Sequence, residues 1–235
     1  MKKRWILILC FAAAALPGGE LVGHWLFNEG TGKEVKDTVG GRRAVLVRLD
    51  DASRWTAGRS GHAVHFGGSH DKRNTSGAAV VKWPAEFFTK PFTVEMWLKL
   101  DAGAPLRSFK DLLGNGSDRG PGFRITSFYG SIQVRSGDGT RAAAVATNPS
   151  TAVIPENSWF LLTVVYDGAN AKIHINGVEH ASAPIVLTAA PTVNVSLGSN
   201  LGGGAYPMGG SCDELAVYNY PLSRDEVIRN YLKGL

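Results

Sequence analysis

The fold is decided by residues 159–180, WFLLTVVYDGANAKIHINGVEH. Between Trp159 and Tyr166 both alternating sets, Phe160/Leu162/Val164/Tyr166 and Trp159/Leu161/Thr163/Val165, are apolar or nearly so. Mostly β-branched and aromatic residues in such a run predict a strand covered on both faces. Asp167-Gly168-Ala169-Asn170 then reverses the chain, because glycine tolerates positive φ and Asp and Asn side chains bond their own backbone. In the return run Ile173 and Ile175 point one way and Lys172, His174 and Asn176 the other, which predicts one buried and one wetter face. Asn176-Gly177 is the pair a tight type I′ turn prefers, and it launches a third strand over residues 178–183. Three strands cannot bury such large side chains alone, so a second sheet must pack over them.

Outward from this hairpin the same signals recur. Residues 92–100, FTVEMWLKL, alternate most clearly: Phe92, Val94, Met96, Leu98 and Leu100 form a core face, and Thr93, Glu95, Trp97 and Lys99 form the other. That second face is either solvated or the floor of a groove. Upstream, strands are expected over residues 21–27, 44–49, 62–66 and 78–83. Between the two long strands, three short runs at residues 111–115, 123–127 and 131–135 are evenly spaced and bounded by Gly, Asp or Ser, the mark of a sandwich meander; residues 141–147 add another. Residues 193–197 and the stretch beginning at Cys212 complete the set. The chain then turns helical: Ser223 and Glu226 make a capping box, Leu222 can staple to Val227, and Val227, Ile228, Tyr231 and Leu232 recur at helical spacing before Gly234. The fold class read from these patterns is all-β, two antiparallel sheets face to face, with one short helix over residues 224–233.

Length, charge and cysteine count bound the rest. A chain of 235 residues suits one large all-β domain, and its 29 glycines and 11 prolines punctuate strands rather than cluster. Residues 1–19 stand apart as a basic start (Lys2, Lys3, Arg4), an apolar run and a small-x-small pattern at Ala13 and Ala15; they read as a secretory signal peptide, leaving residues 20–235 as the domain. The run is too short for a membrane span. Without those three cations the formal charge falls from +5 to +2, so the basic balance implies no nucleic-acid partner. Cys212 is then the sole cysteine, expected as a buried thiol.

Motifs for chemistry are sparse. There is no nucleophile elbow, H-E-x-x-H or Walker loop, and Gly202-Gly203-Gly204 lacks the strand-to-helix context of a phosphate cradle. His24, His62, His65 and His174 lie scattered in strand-like runs and read as packed or surface positions rather than a zinc site. Asn74, Asn115 and Asn194 begin glycosylation-like triplets, a pattern common by chance. Trp97 between Glu95 and Lys99 carries the candidate ligand site: an indole stacks on a sugar ring while flanking charges bond hydroxyls, unless it only caps the sheet's second layer.

Five segments together resemble the laminin G-like, concanavalin A-like jelly-roll domain of secreted bacterial proteins: GHWLFNEGTG, GRSGHAVHFGG, FTVEMWLKL, WFLLTVVYDGANAKIHINGVE and GGSCDELAVYNYPLSRDEV. Their order and spacing carry the likeness over most of residues 21–235; His174, Cys212 and Tyr220 depart from the usual Tyr, aliphatic and Arg. The resemblance implies a jelly-roll sandwich and a secreted, periplasmic or cell-surface recognition domain that binds glycan, or alternatively a cell-surface protein, without catalysis. The runner-up is a polysaccharide hydrolase or lyase. Hydrolases of this fold pair carboxylates on one strand, whereas Glu95 has no second acid beside it in its strand. The resemblance also implies a structural calcium. Asp213 stands where similar domains place a calcium-binding aspartate, and with the last strand beside the first, Asn28, Glu29 and Gly67 are the expected oxygen donors around it.

Overall fold

A computed structural model of the chain describes residues 19–49, 54–67, 77–102, 109–200 and 206–234. The expected signal peptide and the loops around Asn74 and Gly203 lie outside the described residues. The strands in chain order are β1 (Leu21–Trp25), β2 (Glu34–Lys36), β3 (Arg43–Val47), β4 (Trp55–Ala57), β5 (His62–Phe66), β6 (Ala78–Lys82), β7 (Phe92–Leu100) and β8 (Lys110–Gly114), then β9 (Arg124–Phe128), β10 (Ser131–Gly137), β11 (Ala142–Ala146), β12 (Phe160–Tyr166), β13 (Asn170–Ile175), β14 (Val178–Pro184), β15 (Asn194–Leu197) and β16 (Gly210–Tyr218). One α-helix, α1 (Arg224–Lys233), follows β16. The first sheet runs β14-β13-β12-β7-β16-β5-β4 with β1 also on β16, and the second runs β11-β10-β9-β8-β15-β6-β3-β2. All pairings between these strands are antiparallel, so the molecule is the expected two-sheet sandwich.

The organising hairpin sits where its composition requires. β12 lies between β7 and β13, with Leu162 opposite Met96 on one side and Ile175 on the other. Every β12 residue is buried. Asn176 and Gly177 both have positive φ, 52° and 79°, as the type I′ turn demands. Phe92, Val94, Met96, Leu98, Phe160, Leu162, Val164, Ile173 and Ile175 all lie in the core between the sheets. Each such large side chain contributes roughly 1.5 to 3 kcal/mol by leaving water. At one end of this core Phe88 stacks on Phe123 with ring centroids 4.2 Å apart.

The outer face of the first sheet is covered by α1, whose Val227 packs with Leu222 and Val165. The helix begins as expected: Ser223 Oγ accepts the Glu226 N–H, and Glu226 Oε2 accepts the Ser223 N–H at 2.8 Å. Gly234 ends it in the left-handed region at φ 84°.

Two differences from the sequence reading stand out. The three-residue strands β2 and β4 and the 3₁₀ turn Ala85–Thr89 are too short to show a period. His174 is buried rather than on a wetter face, with its Nε2 3.6 Å from a Glu179 carboxylate oxygen on β14. Cys212 is the buried free thiol expected, and burial pushes its ionisation well up. No helix among the described residues is long and apolar enough to cross a membrane.

Candidate functional site

Burial changes the reading of the β7 side chains. Glu95 is fully buried beneath α1: its Oε1 accepts the Thr163 hydroxyl at 2.9 Å, and its Oε2 accepts Asn230 Nδ2 at 2.7 Å and the Tyr218 hydroxyl at 3.2 Å. Burial raises its pKa against the pull of those three donors. Trp97 is only 3% exposed, tilted against Tyr231 of the helix and roofed by the Arg59 guanidinium 4.0 Å from its ring. Lys99 is half-buried over Trp159. The face expected as solvated or as a groove floor is therefore neither. An amphipathic helix needs an apolar partner surface, and α1 takes this one.

The expected metal donors are likewise spread. β16 pairs with β5 through Cys212 and with β1 from Leu215 onward, and between them a bulge places Glu214 at φ 50°. From this bulge Asp213 Oδ2 reaches the turn before β5, accepting the Arg59 N–H at 2.9 Å and the Ser60 N–H at 3.2 Å. Gly58 must lack a side chain here, since a Cβ would sit 2.6 Å from that oxygen. Asn28 Oδ1 approaches the same turn and accepts the His62 N–H at 2.8 Å; Glu29 Oε1 accepts the Lys36 N–H. Gly67 lies at the far end of β5, about 13 Å from the Asp213 position at a strand's rise per residue. Among the described residues no cluster of three or more His, Cys, Asp or Glu side chains is gathered for a metal. What remains open is one buried oxygen each on Asp213 and Glu214, Oδ1 and Oε2, without hydrogen-bond partners. Burial and the neighbouring Asp213 push Glu214 up to about 7.

The outer face of the second sheet gathers a further set of polar side chains. Register places Asp111 of β8 opposite Thr126 of β9, Arg124 opposite Gly114, and Gln133 and Arg135 of β10 opposite Thr126 and Arg124, so these side chains share one face. Arg124 grips Asp111 through two parallel bonds, Nε to Oδ1 at 2.8 Å and Nη2 to Oδ2 at 2.7 Å. A Cβ at Gly114 would lie 2.6 Å from the Phe123 carbonyl and 3.1 Å from Arg124 Cγ, so the bare backbone lets Arg124 lie across β8. Both members are buried, and burial pushes the Asp111 carboxyl up to about 6 although Arg124 pulls it down. Asp118 bridges Arg124 and Arg135 at 3.5 and 3.7 Å.

Aromatic rings frame the pair. The Arg124 and Arg135 guanidiniums lie 4.7 and 5.2 Å from the Phe109 centroid, and Phe109 in turn meets Phe128 and Tyr206. Tyr129 packs on Phe128 and is 62% exposed, Tyr206 44%. Towards β6 a cleft of about 190 Å³ is lined by Asn115, Asn194, Ser196 and Asn200; the Asn115 Nδ2 is buried without a partner. It shares Val80 and Asn194 with a wider cleft of about 630 Å³ over β3 and β6. Amides lining a cleft and exposed flat rings on one sheet suit a hydroxyl-rich ligand, which is held by hydrogen bonds and by stacking. Sequence reasoning missed this face, because Asp111 and Arg124 stand 13 residues apart and only the strand register joins them.

Fold and site together define a jelly-roll sandwich with a polar-lined cleft on the outer face of its second sheet. The chain belongs to the laminin G-like family described as the concanavalin A-like lectin/glucanases superfamily, whose model matches residues 74–228. Solved structures share the fold at low identity. Domain 4 of AbnA, an extracellular arabinanase of Geobacillus stearothermophilus in complex with arabinotriose, is 18% identical, with 90% of this chain and 98% of that chain covered and a TM-score of 0.66. The botulinum neurotoxin serotype G binding domain is 14% identical over 92% of this chain, with a TM-score of 0.67; the chain spans 51% of its length. A Trypanosoma rangeli sialidase in complex with the inhibitor DANA is 16% identical, with 94% of this chain and 34% of that chain covered and a TM-score of 0.61. A search of curated proteins finds no match.

Proposed function

We propose that the chain is a secreted, non-catalytic recognition domain that holds an oligosaccharide on the outer face of the second sheet. The observation that carries this reading is a cleft lined by Asn115, Asn194, Ser196 and Asn200 on the same sheet as the exposed Tyr129 and Tyr206, with the buried, bidentate Arg124–Asp111 pair holding the neighbouring strands β8 and β9 together. Preorganised donors and acceptors cost little ordering entropy on binding. The arabinotriose complex of the similar arabinanase domain supports the ligand class. Hydrolysis would require one carboxyl to donate a proton and another to attack or activate water, and here both Asp111 and Asp118 are engaged by Arg124. Glu95 is removed from any substrate by α1. Secretion belongs to the same proposal and rests on the leader-like residues 1–19.

A glycan array with a reducing-sugar assay on the purified chain tests this reading. Binding without turnover is expected, and it is expected to be lost in Asp111→Ala and kept in Lys99→Ala. Turnover would favour a polysaccharide hydrolase or lyase, and silence in both assays a protein partner at the cell surface.

Calcium is proposed at a narrower site than the sequence implied, held by Asp213 Oδ1 and Glu214 Oε2, with water supplying the rest of its oxygen shell. The support is the pair of buried carboxylate oxygens without partners at the β16 bulge. An ion bound there only in the folded state raises stability with its concentration. The thermal midpoint should rise with added calcium and fall with chelator in the wild type, and Asp213→Ala should not respond; a wild type indifferent to both sinks the site.

A further inference from the structure

The narrow cleft holds a donor that the fold itself does not use. Asn115, just after β8, is 5% exposed and lines this cleft of about 190 Å³. Its side chain is pinned: Oδ1 accepts the Phe123 N–H at 3.0 Å, while the Asn115 N–H donates to the Phe123 carbonyl at 3.0 Å. A Cβ at Gly122 would lie 2.8 Å from the same Oδ1, and Gly122 has a φ of 109° that glycine alone adopts readily. Oδ1 is thereby fixed as the bonded end, because only the oxygen of an amide side chain can accept that N–H. The other end, Nδ2, is buried and has no hydrogen-bond partner among the described residues. Buried polar groups are ordinarily paired, so an amide held with two idle protons calls for an acceptor from outside.

The surroundings decide which acceptor fits. Among the described residues lining the cleft none is charged, so a carboxylate or sulfate buried there would lack a cation to offset its lost hydration. A hydroxyl would accept from Nδ2 but bring a proton of its own to satisfy, whereas a carbonyl offers two lone pairs and no proton. Val80 of β6 supplies an apolar wall, and Asn194, Ser196 and Asn200 supply polar atoms around it. At about 190 Å³ the cleft is smaller than the roughly 300 Å³ at which whole-ligand pockets begin, so it takes one substituent of a sugar rather than a chain. We infer that it is an acetamido pocket, in which Asn115 Nδ2 donates to the carbonyl of an N-acetylated sugar whose methyl group lies on Val80. This rests on the carbohydrate-recognition reading above, and it makes Asn115 the residue that sets specificity on that face.

Sugars matched except at one kind of substituent test it. Calorimetric titration of the full chain compares triacetylchitotriose with cellotriose, and N-acetylgalactosamine with galactose, pairs in which acetamido replaces hydroxyl. In at least one pair the acetamido member should bind about tenfold tighter or more, since a partner for an otherwise unpaired buried donor discriminates by at least that factor. Asn115→Asp keeps the oxygen that accepts the Phe123 N–H and removes both side-chain donors, so the preference should fall to parity; unfolding midpoints in urea check that this variant folds. The wild type supplies a readout that needs no substitution. The Asn115 side-chain amide resonances should shift, and their hydrogen exchange should slow, with the preferred acetamido sugar and not with its hydroxyl counterpart. Equal affinity within both pairs overturns the inference, as does a preference that survives in folded Asn115→Asp or leaves the Asn115 amide resonances unmoved. Tighter binding of an N-acetylated dipeptide than of either acetamido sugar also overturns it. If the hydroxyl sugars bind and the acetamido ones hold no advantage, this inference alone fails; if the wild type binds no glycan on the array or in titration, the recognition reading fails with it.

Discussion

The two outer faces of the sandwich use the same kind of residue to opposite ends. On the first sheet Glu95 is sealed under α1 with a hydrogen bond from each of Thr163, Tyr218 and Asn230, and Trp97 is roofed by Arg59 and Tyr231. On the second sheet Asp111 is nearly as buried, and its equally buried partner Arg124 lies against Phe109, which meets the exposed Tyr206. A buried carboxylate is thus a fastening for a helix in one place and part of a recognition surface in the other. What separates them is the cover: a helix over the first, and the Phe109 ring, with the exposed Tyr206 against it, over the second.

Substitutions sharpen that contrast. The largest effect is expected from Asp111→Ala, which strands the Arg124 charge; losing one partner of a buried pair costs about 3 to 5 kcal/mol, read as a lower midpoint in urea, and glycan binding should go with it. Glu95→Ala leaves three donors without an acceptor and should cost about 2 to 4 kcal/mol, while the folded fraction keeps the wild-type ligand affinity. If Glu95→Ala weakened binding as strongly as Asp111→Ala at matched stability, the two faces would not be functionally distinct.

The smallest expected effect is a pH dependence. The Asp111 carboxyl titrates at about 6 in the folded chain against an ordinary value of 3.8, so the folded state binds the extra proton between those values. Stability from this group is therefore fully present below about pH 4 and is lost as pH rises through about 6, by on the order of 3 kcal/mol at most. Asp111→Asn should flatten the urea midpoint across that window; an unchanged slope would mean that another group sets it.

The core was legible because its signal is local. The five apolar residues alternating from Phe92 to Leu100, the doubly apolar run from Phe160 to Tyr166 and the Asn176-Gly177 turn each state their conformation within a few residues. The Ser223 capping box and the spacing of Val227, Ile228 and Tyr231 likewise announced the helix, but not the sheet it would cover, and so the sequence left the Trp97 face open between a ligand floor and a cap on the sheet's second layer. A strand's alternation tells that two faces differ, not what lies on either of them. The second-sheet site depends on pairings between β8, β9 and β10 and between β6 and β15, and no period in the sequence records that Val80 meets Ser196 across strands.

The exchange of partners along β16 has a consequence in time. The first strand, β1, has its sheet partner in β16, made from residues 210–218, and β7, at the middle of the same sheet, also waits for it. Because loop closure over nearly the whole chain precedes those pairings, the contact order is high and folding is slow. During synthesis the growing chain meets its first strand's partner only after almost two hundred further residues have been made. Until then β1 and one edge of β7 are unpaired edges of the kind that invite aggregation, so the nascent chain is at its most vulnerable just before its last strand emerges.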